Sequence, residues 1–412
     1  MNKQIIAAAD PALFALLSRE ISRQDDTLDM MASESIQDPI TLALTGSAFA
    51  NKTAVGLPGH QRLLGAEVID ELEILAAERA KKLFGAEHAN MLPYSGTTAN
   101  ICVYDGILSK GDRILALDPE HGSHASHGRE AHVTARMYNF VHFGVDPATQ
   151  LIDYDQLRKT AGQVRPKILL VGSSSYPRLF DYELLAHIAH SVGAVLMADI
   201  AHTSGLTAAG VIPSPFPHAD IVTASCTKTM CSTHTGFILC KQEFAPQVDR
   251  GVYPGLIASI HPQMIAAAAW AMKRAATPEF QALMKQLLAN TQSLAFALHC
   301  RGLSLLTGGT DCHMFVLDLR NTDTNGKKLG EDLGRIGIWV NSKSIPHDVS
   351  SVPMGIRAGC TVLTQRGMGE QDMPVIADLI CKAVSFGHNC PTEGEIVPLR
   401  QTVRTLCEKF KV

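Results

Sequence analysis

The stretch AVLMADIAHTSGLTAAGVIPSPFPHADIVTASCTKTM, residues 194–230, decides the fold. It holds two apolar runs, AVLMADI and DIVTAS, bounded by turn residues and separated by a short helical pattern. Short apolar runs of this kind mark strands buried on both faces of a parallel sheet. Working outward, RILAL (113–117), KILLVGSS (167–174) and GFILC (236–240) repeat the pattern with helical segments between them. That alternation predicts βαβ units and a mostly parallel sheet. Upstream, VIDELEILAAERAKKLFG (68–85) has apolar residues at helical spacing, with Gly85 as its stop. Residues 260–300 are Ala-rich and read as helical. From about 303 the runs LSLLTG, HMFVLDL, GIWVN and GIRAG read as strands with helices between them. The expected architecture is α/β, with an N-terminal arm and helix over 1–50, a large domain over 51–295 and a small α+β domain over 296–412.

Composition agrees with a protein of more than one domain. The chain has 412 residues, 46% of them apolar, which allows a sizeable core. Lys and Arg number 36 against 40 Asp and Glu, a net charge of −4. Such a balance points away from nucleic acid or an anionic membrane as partner. Ten dispersed cysteines include no Cys-x-x-Cys pair, which speaks against a zinc ribbon or redox motif. They suit a reduced, cytoplasmic protein. The start, MNKQIIAAADPALFALL, lacks a signal-peptide core, and no apolar run approaches the ~20 residues of a membrane span.

The chemistry lies at the strand ends. Asp199 closes AVLMADI, and Lys228 follows DIVTAS 29 residues later. Site residues of open α/β sheets gather at carboxyl ends of strands, although a carboxylate there can also be a loop cap. Lys228 has small, nearly uncharged neighbours, so burial would lower its pKa and favour imine formation. A lysine for the imine and a carboxylate that keeps a pyridine nitrogen protonated are what pyridoxal 5'-phosphate (PLP) requires. Ser95-Gly96-Thr97 opens a helix and reads either as an anion site or as an ordinary N-cap. His121, His124 and His127 form a run without further ligands at metal spacing, so one imidazole stacked on a cofactor ring fits as well as zinc.

These residues resemble the serine hydroxymethyltransferase family over about residues 28–380. The resemblance rests on MASES, LPYSGTTAN, HGSHASHG, MADIAHTSGLTAAGVIPSPFPHADIVT, GGTDCHMFVLDL and GIRAGCTVLTQRG. It implies a fold-type I PLP enzyme with a seven-stranded sheet, acting on an amino acid. By the resemblance Lys228 is the imine lysine, and Asp199 pairs with the pyridine nitrogen with His202 beside it. His124 stacks on the ring. Ser95, Gly96, Thr97 and Ser225 bind phosphate, while Ser33 and Arg357 hold the substrate carboxylate. A guanidinium fork suits that last task. A homodimer with shared active sites is implied too, exchanging loops 51–66 and 252–262.

The departures from the family are as informative. The family's proton-handling glutamate is Val55 here, and two of its tyrosines are Thr53 and Leu63. Pro119, Ala125 and His347 stand at folate-contacting positions, Thr227 replaces the histidine before the lysine, and Ser232-Thr233-His234 replaces Gly-Pro-Arg. The cross-dimer phosphate loop reads GLIASIHP. A valine transfers no proton. The expected reaction is therefore folate-independent: aldol or retro-aldol chemistry at a β-hydroxy-α-amino acid, with an aldehyde as second reactant. His124, His234 or His60 would serve as base. Racemisation, β-elimination or transamination on the same shell, and hydroxymethyl transfer with a rebuilt folate site, are the alternatives.

Overall fold

The structure, a computed structural model, describes residues 3–411. It divides into two compact units: Gln37–Lys285, and the chain up to Ile36 together with that from Gln286 onward.

The first unit is built on a seven-stranded sheet. Its strands are β1 (His88–Asn90), β2 (Arg113–Leu117), β3 (Asn139–Phe143), β4 (Ile168–Gly172), β5 (Val195–Asp199), β6 (Ile221–Ser225) and β7 (Gly236–Cys240). The spatial order is β1-β7-β6-β5-β4-β2-β3. Strands β3, β2, β4, β5 and β6 are mutually parallel, whereas β7 runs antiparallel to both β6 and β1. The expected mostly parallel α/β sheet is present. All five residues of β4, of β6 and of β7 are buried, which is why these runs lack polar alternation. Two strands were not marked by any apolar run, β1 and β3. Both are sheet edges, where side chains such as His88, Asn139 and His142 need not be apolar. Helix α1 (Glu67–Phe84) ends at Gly85, whose φ of 70° is the left-handed stop that the sequence predicts. Helix α2 (Gly96–Ile107) follows β1, and the Ala-rich α3 (Pro262–Ala275) packs against α1.

The second unit carries a four-stranded antiparallel sheet in the order Asn341–Lys343, Gly355–Gly359, Met314–Asp318, Ser304–Leu305. The α+β character expected for the C-terminal region is present. Its boundaries differ from those read in the sequence. The arm up to Ile36 belongs to this unit, because Leu28–Asp29 pairs in parallel with Ile338–Trp339. The Arg366 guanidinium also donates to the carbonyls of Gln24, Asp25 and Thr27. At the other end the division falls at Gln286, inside the long helix Pro278–Cys300, rather than at residue 296. A composition change marks neither point, since strand pairing and guanidinium bonds act between distant residues. Among the described residues no helix is long and apolar enough to cross a membrane.

Candidate active site

The pairing of β5 with β6 brings the two strand-end turns together. Asp199 stands opposite Thr223, whose carbonyl accepts the Ile200 N–H at 2.8 Å. Lys228 is partly buried, lies three residues beyond β6 and opens a short turn, Lys228–Met230. The next residue ties this turn to the one after β5. The Thr229 hydroxyl donates to the His202 carbonyl at 2.9 Å and accepts the Gly205 N–H at 3.0 Å. A Cβ on Gly205 would lie 2.0 Å from the Thr229 carbonyl oxygen, so only glycine permits this approach.

The Asp199 side chain is only 8% exposed, and burial alone would raise its pKa. Bonds to Oδ2 from His127 Nε2 (3.0 Å) and Asn100 Nδ2 (2.8 Å) outweigh that cost and hold the carboxyl well below the usual range. Oδ1 accepts the Ala201 N–H at 2.9 Å. Asn100 is oriented in turn by the Thr223 hydroxyl, 2.6 Å from its Oδ1. The result is a fixed anion at the carboxyl end of β5. In the sequence His127 is one member of a histidine run. It is fully buried, and its Nδ1 has no hydrogen-bond partner among the described residues.

The three histidines of the run do separate work. His121 Nδ1 accepts the Val145 N–H at 3.1 Å. His124 caps the short turn Ala125–His127, its Nδ1 accepting the Ser126 N–H at 3.1 Å with the Ser126 hydroxyl 2.8 Å away. Burial, reinforced by His127, lowers the His124 pKa to about 4, so the ring is neutral near pH 7. A neutral imidazole whose Nδ1 accepts carries its proton on Nε2. His124 therefore offers a donor through Nε2. Among the described residues, no group of three or more His, Cys, Asp or Glu is arranged to hold a metal ion.

The N-terminus of α2 supplies anion-binding groups. Ser95 is its N-cap, in a capping box with Thr98: Ser95 Oγ accepts the Thr98 N–H at 3.1 Å and Thr98 Oγ1 accepts the Ser95 N–H at 2.7 Å. Gly96 and Thr97 occupy the first turn, where backbone N–H groups and the helix dipole favour an anion. A Cβ on Gly96 would meet Ala201 Cβ at 3.4 Å and Ser225 Cβ at 3.9 Å, so this turn abuts the ends of β5 and β6. Ser225 Oγ lies 2.7 Å from Thr227 Oγ1. The structure thus gathers Ser95, Gly96, Ser225 and the turns bearing Asp199, His202 and Lys228. His234 is exposed on the segment leading into β7, and His60 is exposed on the loop after Lys52.

Ser33 and Arg357 belong to the other unit. Arg357 lies on the strand Gly355–Gly359, and its Nη2 donates to Asn341 Oδ1 at 2.7 Å. Burial lowers its pKa only to about 10, which leaves it a cation at neutral pH. The segment bearing Ser33 is docked on the same strand. Gly359 N donates to the Met30 carbonyl at 2.8 Å, and His313 Nε2 lies 3.1 Å from the Ala32 carbonyl.

The groups around Lys228 fit PLP. They comprise a primary amine, a buried carboxylate held ionised for a cationic ring nitrogen, a neutral imidazole, and a hydroxyl-lined helix N-terminus for a phosphate. Comparison with known proteins agrees. The serine hydroxymethyltransferase family model matches residues 6–380. A serine hydroxymethyltransferase from Desulforapulum autotrophicum is 40% identical over 412 residues, covering 100% of this chain and 98% of that protein. The chain belongs to the serine hydroxymethyltransferase family, and it is a PLP-dependent enzyme of fold type I.

Proposed function

We propose that this member of the family catalyses folate-independent aldol chemistry, splitting or forming a β-hydroxy-α-amino acid with an aldehyde as second reactant. The loop after Lys52 carries the reading. Between Lys52 and His60 the sequence is TAVGLPG, without an ionisable side chain, and Val55 stands where the family has its glutamate. The loop is held through its backbone: the Val55 carbonyl accepts the Arg62 N–H at 2.8 Å, the Ala54 carbonyl accepts the Ile260 N–H at 3.2 Å, and the Gly59 N–H donates to Asp70 Oδ2 at 2.9 Å. A proton shuttle to a folate carrier has no titratable side chain in that segment.

Bound PLP supplies an aldehyde for amino groups and a ring that withdraws electrons from Cα. The remaining tasks fall to the chain. Lys228 would offer the amine, Asp199 would keep a proton on the ring nitrogen with His202 beside it, and His124 would cover the ring. His124 donates from Nε2, which suits an oxygen acquiring negative charge better than it suits a base. Ser95, Gly96, Thr97 and Ser225 hold the phosphate, and Ser33 with Arg357 the substrate carboxylate. His234, six residues beyond Lys228, takes the proton at the β-oxygen.

Cleavage of serine and of bulkier β-hydroxy amino acids, with and without tetrahydrofolate, tests the reading. Aldehyde release that tetrahydrofolate leaves unchanged is expected, and strong stimulation on serine would sink it. Stimulation would favour the second reading, hydroxymethyl transfer through a rebuilt folate site, which the 40% identity to a protein of that name supports. Exchange of deuterium at Cα with no aldehyde requirement would point to racemisation instead.

Two further features fit the family. Leu63 and Leu64 on one loop, with Val68 and Leu75 two turns apart on α1, are exposed, an apolar surface that suits a second copy of the chain. Sedimentation at twice the chain mass is expected, and a fully active monomer would overturn the homodimer with shared sites. All ten cysteines are free thiols, as a reducing, cytoplasmic setting allows.

A further inference from the structure

The turn that bears Lys228 is gripped from a second side. One guanidinium nitrogen of Arg274, on α3, donates to two successive carbonyls of that turn, Met230 at 2.6 Å and Cys231 at 2.8 Å. The other terminal nitrogen donates to Asp38 Oδ2 at 2.6 Å. Asp38 is itself fixed. It caps the helix Pro39–Thr45 by accepting the N–H groups of Ile40 and Thr41, and it receives the Trp270 indole N–H at 3.0 Å. The Thr41 hydroxyl closes the circuit, 2.7 Å from Asp38 Oδ2 and 3.3 Å from Ser232 Oγ. Arg274 and Asp38 retain only 18% and 21% of their side-chain exposure, so solvent screens the pair little.

This turn requires such a grip. Lys228 and Cys231 both have φ of 51°, a left-handed conformation that residues with a Cβ rarely adopt. Strained backbone persists where the surroundings over-determine it. A planar, charged donor spanning two adjacent carbonyls does that, and charge-assisted bonds are the stronger kind. We propose that Arg274, oriented by Asp38 and Trp270, is a positioning residue for Lys228, fixing the turn from which its amine meets the cofactor. The inference rests on PLP dependence and is independent of which bond at Cα is cleaved.

The test uses the PLP-loaded enzyme and its Arg274→Met, Arg274→Lys and Trp270→Phe variants. Two quantities are read: the pH midpoint of the visible absorbance of the lysine-bound cofactor, and the fraction of Lys228 trapped by borohydride, mapped by mass spectrometry. Arg274→Met is expected to move the midpoint by about one pH unit, or to lower the trapped fraction of Lys228 several-fold. Arg274→Lys, which keeps the charge but loses the planar fork, recovers part of the change. A lowered melting temperature with midpoint and trapping at wild-type values would overturn the proposal. If Arg274→Met does not fold, Trp270→Phe decides, with a smaller shift in the same direction expected and none counting against. A wild-type chain that forms no such band would overturn PLP dependence as well.

Discussion

The carboxylate of Asp199 sits where water cannot stabilise it, and His127 with Asn100 takes over that task. Removing one partner of a buried pair leaves an uncompensated charge, which costs about 3–5 kcal/mol. His127→Leu is therefore expected to destabilise the protein by about 3 kcal/mol in urea unfolding and to weaken PLP binding. His127→Asn, able to donate to the same oxygen, should lose less. Equal losses for both would show that ring packing, rather than the bond to Asp199, is what matters. Asp199 and Lys228 were legible in the sequence because each closes or follows an apolar run, and strand ends collect chemistry. His127 was not, since its partner lies 72 residues away and only the pairing of strands brings them together. Its signal was its place three residues after His124, which sets two imidazoles on one short turn.

Elements were legible where burial on both faces forces a continuous apolar run. The strands β2, β4, β5, β6 and β7 stood out for that reason, and β1 and β3 did not because edge strands carry polar residues. Packing between elements is less visible in sequence, and two glycines separate its kinds. A Cβ on Gly236, at the start of β7, would fall 2.2 Å from the Ser95 carbonyl oxygen. Gly236→Ala must push the N-cap of α2 outward, at about 1–3 kcal/mol for overpacking, and on the proposed site this loosens the turn assigned to the cofactor phosphate. Gly85, the stop of α1, has open space around it and differs only in its φ of 70°. Gly85→Ala should cost about 1 kcal/mol and leave PLP affinity untouched. Cofactor titrations of the two variants check the contrast, and equal affinities would remove the packing argument.

For the whole molecule, composition announced more than one domain but not their membership, because the arm up to Ile36 joins the C-terminal unit through strand pairing with Ile338–Trp339. The response to pH was equally hidden. Glu73, on α1, is 4% exposed, and burial, with Asp70 adding repulsion, raises its pKa to about 8. Gln61 Nε2, on the loop after Lys52, lies 3.3 Å from its Oε1. The sign follows from proton linkage. Below about pH 4.5 Glu73 is protonated both folded and unfolded and contributes no slope. Between about 4.5 and 8 only the folded chain keeps the proton, so stability falls as pH rises, by at most about 5 kcal/mol. Asp199 acts oppositely: its lowered pKa stabilises the fold above the ordinary carboxylate range and withdraws that support as the pH falls below it. Stability should therefore peak in mildly acidic solution. Glu73→Gln keeps a hydrogen-bonding side chain but cannot ionise, so it should raise the melting temperature at pH 8, change it little at pH 5 and flatten the alkaline side of the profile. A variant that melts lower than the wild type at pH 8 would show that the charged form of Glu73 is the one the fold uses.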